Sequence, residues 1–436
     1  MNHPGKTQKK PSLFFGWRIV FFGFMLMAIS FSIIMSCHSL FVLPVTEALG
    51  FERGEFTLTF TLVGLSAAAS SAWVGRILSR SRHLKRSLTL FILLAGLAFA
   101  SFSFARATWQ FYLIAILLGP GFVGSSNLAG SLLVNQWFID RRGFALGVVA
   151  AGSGIGTALL SPVISGVISR WGWQAGYWVS GGLILMVCLP LTWRFAVRSP
   201  EEKGMHPLVK GPSAAAVETL GADSTAGTAG STGTEAPAGL MLSELKVMPA
   251  FWMFFITMFF LCVVIGGSQL TIAAYMLELG YSAQFSALMF SVQALGMLIG
   301  KLSLGAIFDR FGTRRGILIG ITALMVTMLG YLNASAVVVA VGASVLVGMA
   351  ASMSTVGNAY LTGSFFGSKD FGNVYGLVNI TMMTGATTGP LVTNLIYDQT
   401  GSYAFAWVGF LVLTGLCGLS LVWLQSVFFK RLLKTA

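Results

Sequence analysis

The residue with the clearest chemistry in this sequence is a lysine inside an apolar segment. Lys301 follows the uncharged run 286–299, and the segment meets water only near Asp309, eight residues further on. Eight helical residues span about 12 Å, so Lys301 lies well inside the apolar layer. A lysine at such depth costs about 2.5–3.5 kcal/mol and usually faces a bundle interior or a water-filled path. Its type and depth predict a binding site for an anion.

A structural role is the alternative for Lys301, because its side chain could reach an interface or pair with an acid. Asp309 is too far along the same helix for direct contact. No other predicted span carries a midplane aspartate or glutamate. We therefore favour anion binding.

His38 is the other titratable residue that the sequence places deep in the apolar region. Histidine changes charge near neutral pH, so His38 is a candidate for proton coupling or gating, and a packing role stays open beside it. The four cysteines lie singly in apolar segments, without metal-ligand spacing. We expect no metal, no cofactor and no catalytic residue, because no nucleophile–base pair suggests an enzyme.

Further polar residues lie in the predicted fourth, seventh, tenth and eleventh helices, where they could line a cavity around the anion. Such side chains also join membrane helices to one another, and both roles stay open. Gln269 and Asn379 are the preferred cavity residues. The whole set is Asn127, Gln269, Asn358, Asn379 and Thr381.

Three charged residues follow Lys301 at the end of its helix. Asp309, Arg310 and Arg314 lie at the predicted boundary with water. We expect them to hold the cytoplasmic ends of the helices together and to change partners between conformational states. They are predicted gate residues and not ligands.

The elements that position these residues are apolar helices. Hydrophobic residues make up 55% of the 436 residues, charged residues 9%, and the mean hydropathy is +0.81, which indicates an integral membrane protein. Counting spans of about 20 apolar residues predicts an all-α protein with twelve transmembrane helices. The spans are 18–42, 56–78, 87–105, 109–137, 143–168, 173–195, 250–278, 284–308, 316–333, 336–363, 371–397 and 403–428.

The net charge of +13 comes from lysines and arginines on one side of the predicted membrane. This distribution follows the positive-inside rule and places both termini in the cytoplasm. The expected partner of the charge is the lipid bilayer and not a nucleic acid. The first span has no small-residue cleavage site, so we interpret it as an uncleaved helix.

A polar segment divides the spans into six and six. Residues 199–247 are predicted to form a disordered cytoplasmic linker, because 212–240 is rich in Ala, Gly, Ser and Thr without apolar periodicity. The predicted domains are a cytoplasmic tail 1–17, a six-helix bundle 18–198, the linker, a second bundle 248–428 and a cytoplasmic tail 429–436.

The two halves carry matching residues at an offset of 229 or 230. Parallel repeats of this kind place the substrate between the halves near the midplane. Lys301 falls opposite Ser71 in the repeat. The matched pairs include Gly143 and Gly372, Gly147 and Gly376, and Gly75 and Gly305.

The motif at 305–315, Gly-x-x-x-Asp-Arg-x-Gly-x-Arg-Arg, resembles the cytoplasmic loop signature of the major facilitator superfamily, and 75–86 is a degraded copy with Ser79 in place of the aspartate. The stretches 137–147, 152–156 and 365–376 resemble the group of monocarboxylate transporters and oxalate/formate antiporters. The resemblance implies two pseudo-symmetric six-helix bundles in the major facilitator fold.

In that group the eighth helix usually carries an arginine, in an Arg-x-x-x-Gly motif, that binds the substrate carboxylate. Here Lys301 occupies that place before Gly305. Lysine has the same positive charge as arginine, but its compact ammonium cannot bind a carboxylate through two parallel hydrogen bonds as a guanidinium does. Oxalate-type members carry a second cation in the eleventh helix, and residues 373–397 have none. The resemblance therefore favours a monoanion over a dianion.

The function implied by the resemblance is secondary transport of a small monocarboxylate, such as lactate, pyruvate or formate, by alternating access. Proton symport, with His38, Lys301 or the substrate as proton carrier, and anion exchange are both open. The alternatives are an exporter of another organic solute and a non-transporting membrane sensor of a metabolite. We expect a functional monomer in a bacterial cytoplasmic membrane.

Overall fold

The chain is seen in a computed structural model that describes residues 15–81, 83–138, 140–203 and 241–435. Nine helices in these ranges are long and apolar enough to span a membrane. Two of them bend at Gly172 and Gly312, whose φ of +83° and +79° other residues rarely adopt. Each of these two is therefore a pair of helices. A further helix, Phe371–Thr400, has 30 residues but is too polar for the same criterion.

Twelve helices cross the described fold, which confirms the predicted fold class. We label them α1 to α12 in chain order. Their bounds are α1 Gly16–Leu49, α2 Arg53–Arg80, α3 Leu84–Ser101, α4 Thr108–Trp137, α5 142–171, α6 173–195, α7 Pro249–Leu270, α8 283–311, α9 313–332, α10 Val337–Phe366, α11 Phe371–Thr400 and α12 Ala404–Thr435.

Each set of six helices buries its own apolar core. Trp137 and Tyr177 are among the largest fully buried side chains of α1–α6, and Trp407 and Tyr331 are their counterparts in α7–α12. A few residues of the second set, such as Tyr375, pack into the first core. We call the two sets the N-bundle and the C-bundle.

Most of the predicted tail 1–17 and of the predicted linker 199–247 lies outside the described residues, so these domain assignments stay predictions. In the described end of the linker, Leu242–Leu245 forms one helical turn, and the Leu242 backbone N–H donates to Asp370 at 3.1 Å. At the carboxyl end, α12 runs to Thr435 without a break at residue 428.

Two crossings of small-residue helices join the bundles. In the first, between α5 and α8, a Cβ added to Gly143 would collide with the backbone of Gly305. A Cβ on Gly147 would collide with the backbone of Lys301. Small residues permit such close approach of membrane helices. We call this contact crossing 5/8.

The second contact, crossing 2/11, joins α2 and α11 in the same way. A Cβ on Gly75 would collide with the backbone of Gly372, and one on Gly376 would meet the backbone of Ser71. Both crossings lie toward the end of the molecule where α2 ends and α5 begins. Several arginines lie there, so we call it the basic end.

Candidate functional site

Lys301 lies in crossing 5/8, where its side chain is only 5% exposed. Its Nζ donates a hydrogen bond of 2.7 Å to Oγ of Ser153 on α5, in the opposite bundle. An ammonium group has three donors, and Ser153 is its one acceptor within the described ranges. No carboxylate of those ranges pairs with it. In its protonated form the group would therefore carry a charge that no described carboxylate balances, and two of its donors would have no acceptor among the described residues.

Ser153 is the point where three helices meet. Its Oγ donates to the Ala150 carbonyl at 2.9 Å, which leaves a lone pair to accept from Lys301. Its backbone carbonyl accepts a hydrogen bond of 2.8 Å from Ser32 Oγ on α1. There α1 is wound as a π-helix over Met27–Ser36, a form frequent at functional sites. Helices α1, α5 and α8 thus share one buried polar cluster.

Two predicted cavity residues connect the bundles near crossing 2/11. Asn127 Nδ2 donates to the Tyr375 hydroxyl at 2.8 Å, and Asn379 Nδ2 donates to Ser71 Oγ at 3.2 Å. The Oδ1 atom of Asn379 is buried without a protein partner. Both amides therefore lie between the bundles.

The other three predicted cavity residues differ in their surroundings. Asn358 of α10 is fully buried directly after the π-helical turn Met353–Gly357, and neither of its amide atoms has a partner in the described part of the chain. Nε2 of Gln269 is also buried and unpartnered. Such groups are normally satisfied by protein, water or ligand. Thr381, by contrast, donates to the Val378 carbonyl of its own helix.

His38 lies in the aromatic core of the N-bundle. The imidazole is fully buried, with its centroid 4.3 Å from that of Phe60 and 5.4 Å from those of Phe99 and Phe102. The Tyr177 ring is 6.1 Å away. Neither ring nitrogen has a hydrogen-bond partner among the residues that the structure describes. The structure does not bring His38 into the polar cluster around Lys301.

Asp309 caps the start of α5 from across the bundle interface. Its Oδ1 accepts from the Gly143 backbone N–H at 2.8 Å and its Oδ2 from that of Phe144 at 2.7 Å. The first N–H groups of a helix lack intrahelical acceptors and carry partial positive charge. The carboxylate therefore joins the two bundles at the basic end through two charge-assisted hydrogen bonds.

Arg142 makes a second connection at the basic end. Its guanidinium donates to Asn135 Oδ1 at 3.0 Å, to the Tyr360 carbonyl at 3.1 Å and to Ser364 Oγ at 2.6 Å. It also lies 4.7 Å from the Tyr360 ring centroid, within cation–π range. The sequence did not predict Arg142 as a gate residue, although it lies in the stretch 137–147 that resembles the monocarboxylate group. Its partners in the C-bundle are on α10, which the sequence pattern does not relate to it.

The remaining predicted gate residues do not take part in these contacts. The side chains of Arg310 and Arg314 are exposed at the basic end. The Arg310 guanidinium lies 5.4 Å from the ring centroid of its neighbour Phe311. At the basic end of this structure, the contacts between the bundles thus include those of Asp309 and Arg142.

The sequence profile of the Major Facilitator Superfamily matches residues 20–288 and 267–433. The chain belongs to this superfamily, as the motif at 305–315 predicted. It is therefore a multi-pass membrane protein from a family of transporters of small solutes.

Monocarboxylate transporter 12 of Xenopus laevis is 22% identical over 419 residues, which cover 92% of this chain and 88% of that protein. The Rattus norvegicus protein of the same name is 27% identical over 194 residues, covering 43% of this chain and 39% of the rat protein. The hexuronate transporter of Bacillus subtilis (strain 168) is 24% identical over 397 residues, or 82% and 84% of the two chains.

Among solved structures, the proton:xylose symporter XylE bound to 6-bromo-6-deoxy-D-glucose superimposes with a TM-score of 0.70. The sequence identity is 13%, and the match covers 93% of this chain and 94% of that chain. This similarity shows the shared fold.

Proposed function

We propose that this chain is a secondary transporter of a small monocarboxylate and that Lys301 binds the carboxylate. The observation that carries the proposal is the buried ammonium between the bundles, with one hydroxyl partner and no acid among the described residues. Transporters built from repeats bind their substrates near the midplane between the repeats. Two of the relatives, monocarboxylate transporter 12 and the hexuronate transporter, are by name transporters of carboxylates, because a hexuronate also carries a carboxyl group.

Binding would use the two donors of Lys301 that Ser153 leaves free. Hydrogen bonds between an ammonium and a carboxylate are charge-assisted, and low local polarity strengthens them. One cation balances one carboxylate, so a monoanion fits the site better than a dianion. The unpartnered amides of Asn358 and Gln269 are our candidates for contacts to the rest of the substrate.

Alternating access would then work through crossing 5/8. We assign the basic end to the cytoplasm from its positive charge. The contacts of Asp309 and Arg142 would form the cytoplasmic gate, and the structure would correspond to an outward-facing state. An anion at Lys301 competes with the Ser153 hydroxyl for the same ammonium. Substrate binding would thereby weaken a contact between the bundles and favour their rearrangement.

Two coupling modes, proton symport and anion exchange, fit this cycle. The aromatic surroundings of His38 favour a packing role for that residue. In symport we therefore favour Lys301 or the substrate as the proton carrier. In exchange, one anion would leave Lys301 as another replaces it.

The test is uptake of labelled lactate, pyruvate, formate, acetate and a hexuronate into proteoliposomes, with and without an inward proton gradient. Wild type is compared with Lys301→Gln and with Lys369→Gln, which removes an exposed lysine at the basic end. We expect saturable uptake of one acid that Lys301→Gln loses and Lys369→Gln keeps. Stimulation by the gradient would indicate symport, and stimulation by internal acid would indicate exchange.

The proposal fails if the folded wild type moves none of these acids. It also fails if Lys301→Gln transports an acid as well as wild type does. In the first case the solute is of another class. In the second case the carboxylate does not depend on Lys301.

A further inference from the structure

A cavity of about 480 Å³ lies between the start of α1 and the end of α6. The proposed transport cycle does not use this space. Its walls combine two cations with three aromatic rings. They are formed by Trp17, Arg18, Phe21, Arg194 and Phe195.

Neither guanidinium is neutralised in the described part of the chain. Arg18 lies 5.6 Å from the ring centroid of Phe15, and Arg194 lies 5.5 Å from that of Phe195. Both arginines are exposed, and no described carboxylate pairs with either. Each guanidinium thus keeps a planar set of donors, which matches the oxygens of a phosphate group.

The surroundings of the cavity are those of a membrane interface. Phe21 is 49% exposed and Trp193 is 58% exposed, and exposed tryptophans mark the headgroup level of a bilayer. Lys85 is a further cation near the end of α6, where its Nζ donates to the Trp193 carbonyl at 3.1 Å. Basic pockets between membrane helices bind acidic lipid headgroups.

We propose that this cavity binds the phosphate group of an acidic phospholipid, with Arg18 and Arg194 as its ligands. The guanidinium groups would donate to the phosphate oxygens, and the aromatic rings would contact the adjoining apolar part of the lipid. Charge-assisted bonds of this kind are among the stronger hydrogen bonds in proteins. The lipid would connect α1 to α6 within the N-bundle. This site is independent of Lys301 and of the transported solute.

The test titrates phosphatidylglycerol into the purified full chain in detergent and counts bound lipid by native mass spectrometry. The variant R18Q/R194Q is expected to bind about 30-fold more weakly than wild type, because each cation near a membrane surface contributes roughly fivefold. The matched control is R76Q/R80Q, which removes two exposed arginines from the same end. It is expected to bind the lipid as wild type does.

Unchanged affinity in R18Q/R194Q overturns the proposal. An equal loss in the control also overturns it, since general surface charge would then explain the binding. Displacement of the lipid by an equal concentration of inorganic phosphate would show a site for the free ion instead. If R18Q/R194Q does not fold, R18K/R194K takes its place. Weaker binding by that variant supports the proposal, and wild-type binding overturns it.

Discussion

Crossing 5/8 and crossing 2/11 are two copies of one helix contact, but among the described residues only crossing 5/8 contains a buried charged side chain, that of Lys301. Gly143 lies against Gly305 in the first, and Gly75 lies against Gly372 in the second. Offsets of 229 and 230 relate the partners. The helices approach closely for the same reason in both, because an added Cβ would collide with backbone.

The crossings differ at the matching position, where one has Lys301 and the other has Ser71. Ser71 accepts a hydrogen bond from the Asn379 amide, so the contact there joins two neutral groups. Lys301 has a single hydroxyl partner, which is too little for a buried charge. The repeat thus produces the same helix contact twice. The matching position is a buried lysine in crossing 5/8 and a buried serine in crossing 2/11.

At the basic end the two crossings also differ, because one has an aspartate where the other has a serine. Asp309 bonds the first turn of α5 in the opposite bundle. Its counterpart Ser79 donates to the Arg76 carbonyl in its own helix. The acid at the start of α11 is Asp370, which belongs to the same bundle as that helix. The carboxylate cap between bundles therefore exists at crossing 5/8 and not at crossing 2/11.

Lys301→Ser would make the two crossings alike, and we expect it to have the largest effect. Loss of a charged hydrogen-bond donor costs about 1.5–3 kcal/mol, so uptake of the transported acid at low concentration is expected to fall roughly 10- to 100-fold. Initial rates in proteoliposomes measure this. Lys301→Arg, which keeps a cation, serves as the comparison variant. If Lys301→Ser takes up the acid as fast as wild type does, the lysine does not give crossing 5/8 a role in binding that crossing 2/11 lacks.

Gly305→Val and Gly75→Val test the likeness of the crossings. Each adds a side chain where backbone already lies, so each is expected to destabilise the fold by about 1–3 kcal/mol. Thermal denaturation in detergent measures the effect. Gly409→Val is the control, because, apart from the neighbouring backbone of its own helix, no atom of the described residues lies within 4 Å of its Cβ position. A large difference between the first two variants would mean that the crossings are not equivalent.

Asp309→Asn tests the difference at the basic end. Loss of the carboxylate charge at a helix start costs about 1 kcal/mol, so the backbone N–H groups of Gly143 and Phe144 are expected to exchange roughly fivefold faster. Hydrogen–deuterium exchange followed by mass spectrometry measures this. Ser79→Ala is the matched variant and is expected to leave exchange at the start of α11 unchanged. If Ser79→Ala accelerates exchange at the start of α11 as much as Asp309→Asn does at the start of α5, the two crossings do not differ in how these helix starts are held.

Ser71→Ala is expected to have the smallest effect. It removes one neutral hydrogen bond with Asn379, worth about 0.5–1.5 kcal/mol. The melting temperature is expected to fall slightly while uptake stays at the wild-type rate. A loss of uptake as large as that of Lys301→Ser would show that crossing 2/11 also contributes to binding.

Hydropathy, charge and repeat spacing are local properties of a chain, and they sufficed for the architecture. They predicted the twelve helices, including the polar helix at 371–397, and the internal repeat that relates the two halves. They also placed Lys301 inside the membrane and opposite Ser71. No partner had to be known for these inferences, because burial of about 20 apolar residues is decided segment by segment.

The contacts of the site were decided by the tertiary structure alone. Ser153 is 148 positions from Lys301, and Tyr360 is 218 positions from Arg142. From the sequence, His38 is only a titratable residue in an apolar helix. Its position among aromatic rings follows from the packing of α1 against other helices. Sequence by itself determined which residues are costly to bury. Their partners depend on how distant helices cross, which local pattern does not encode.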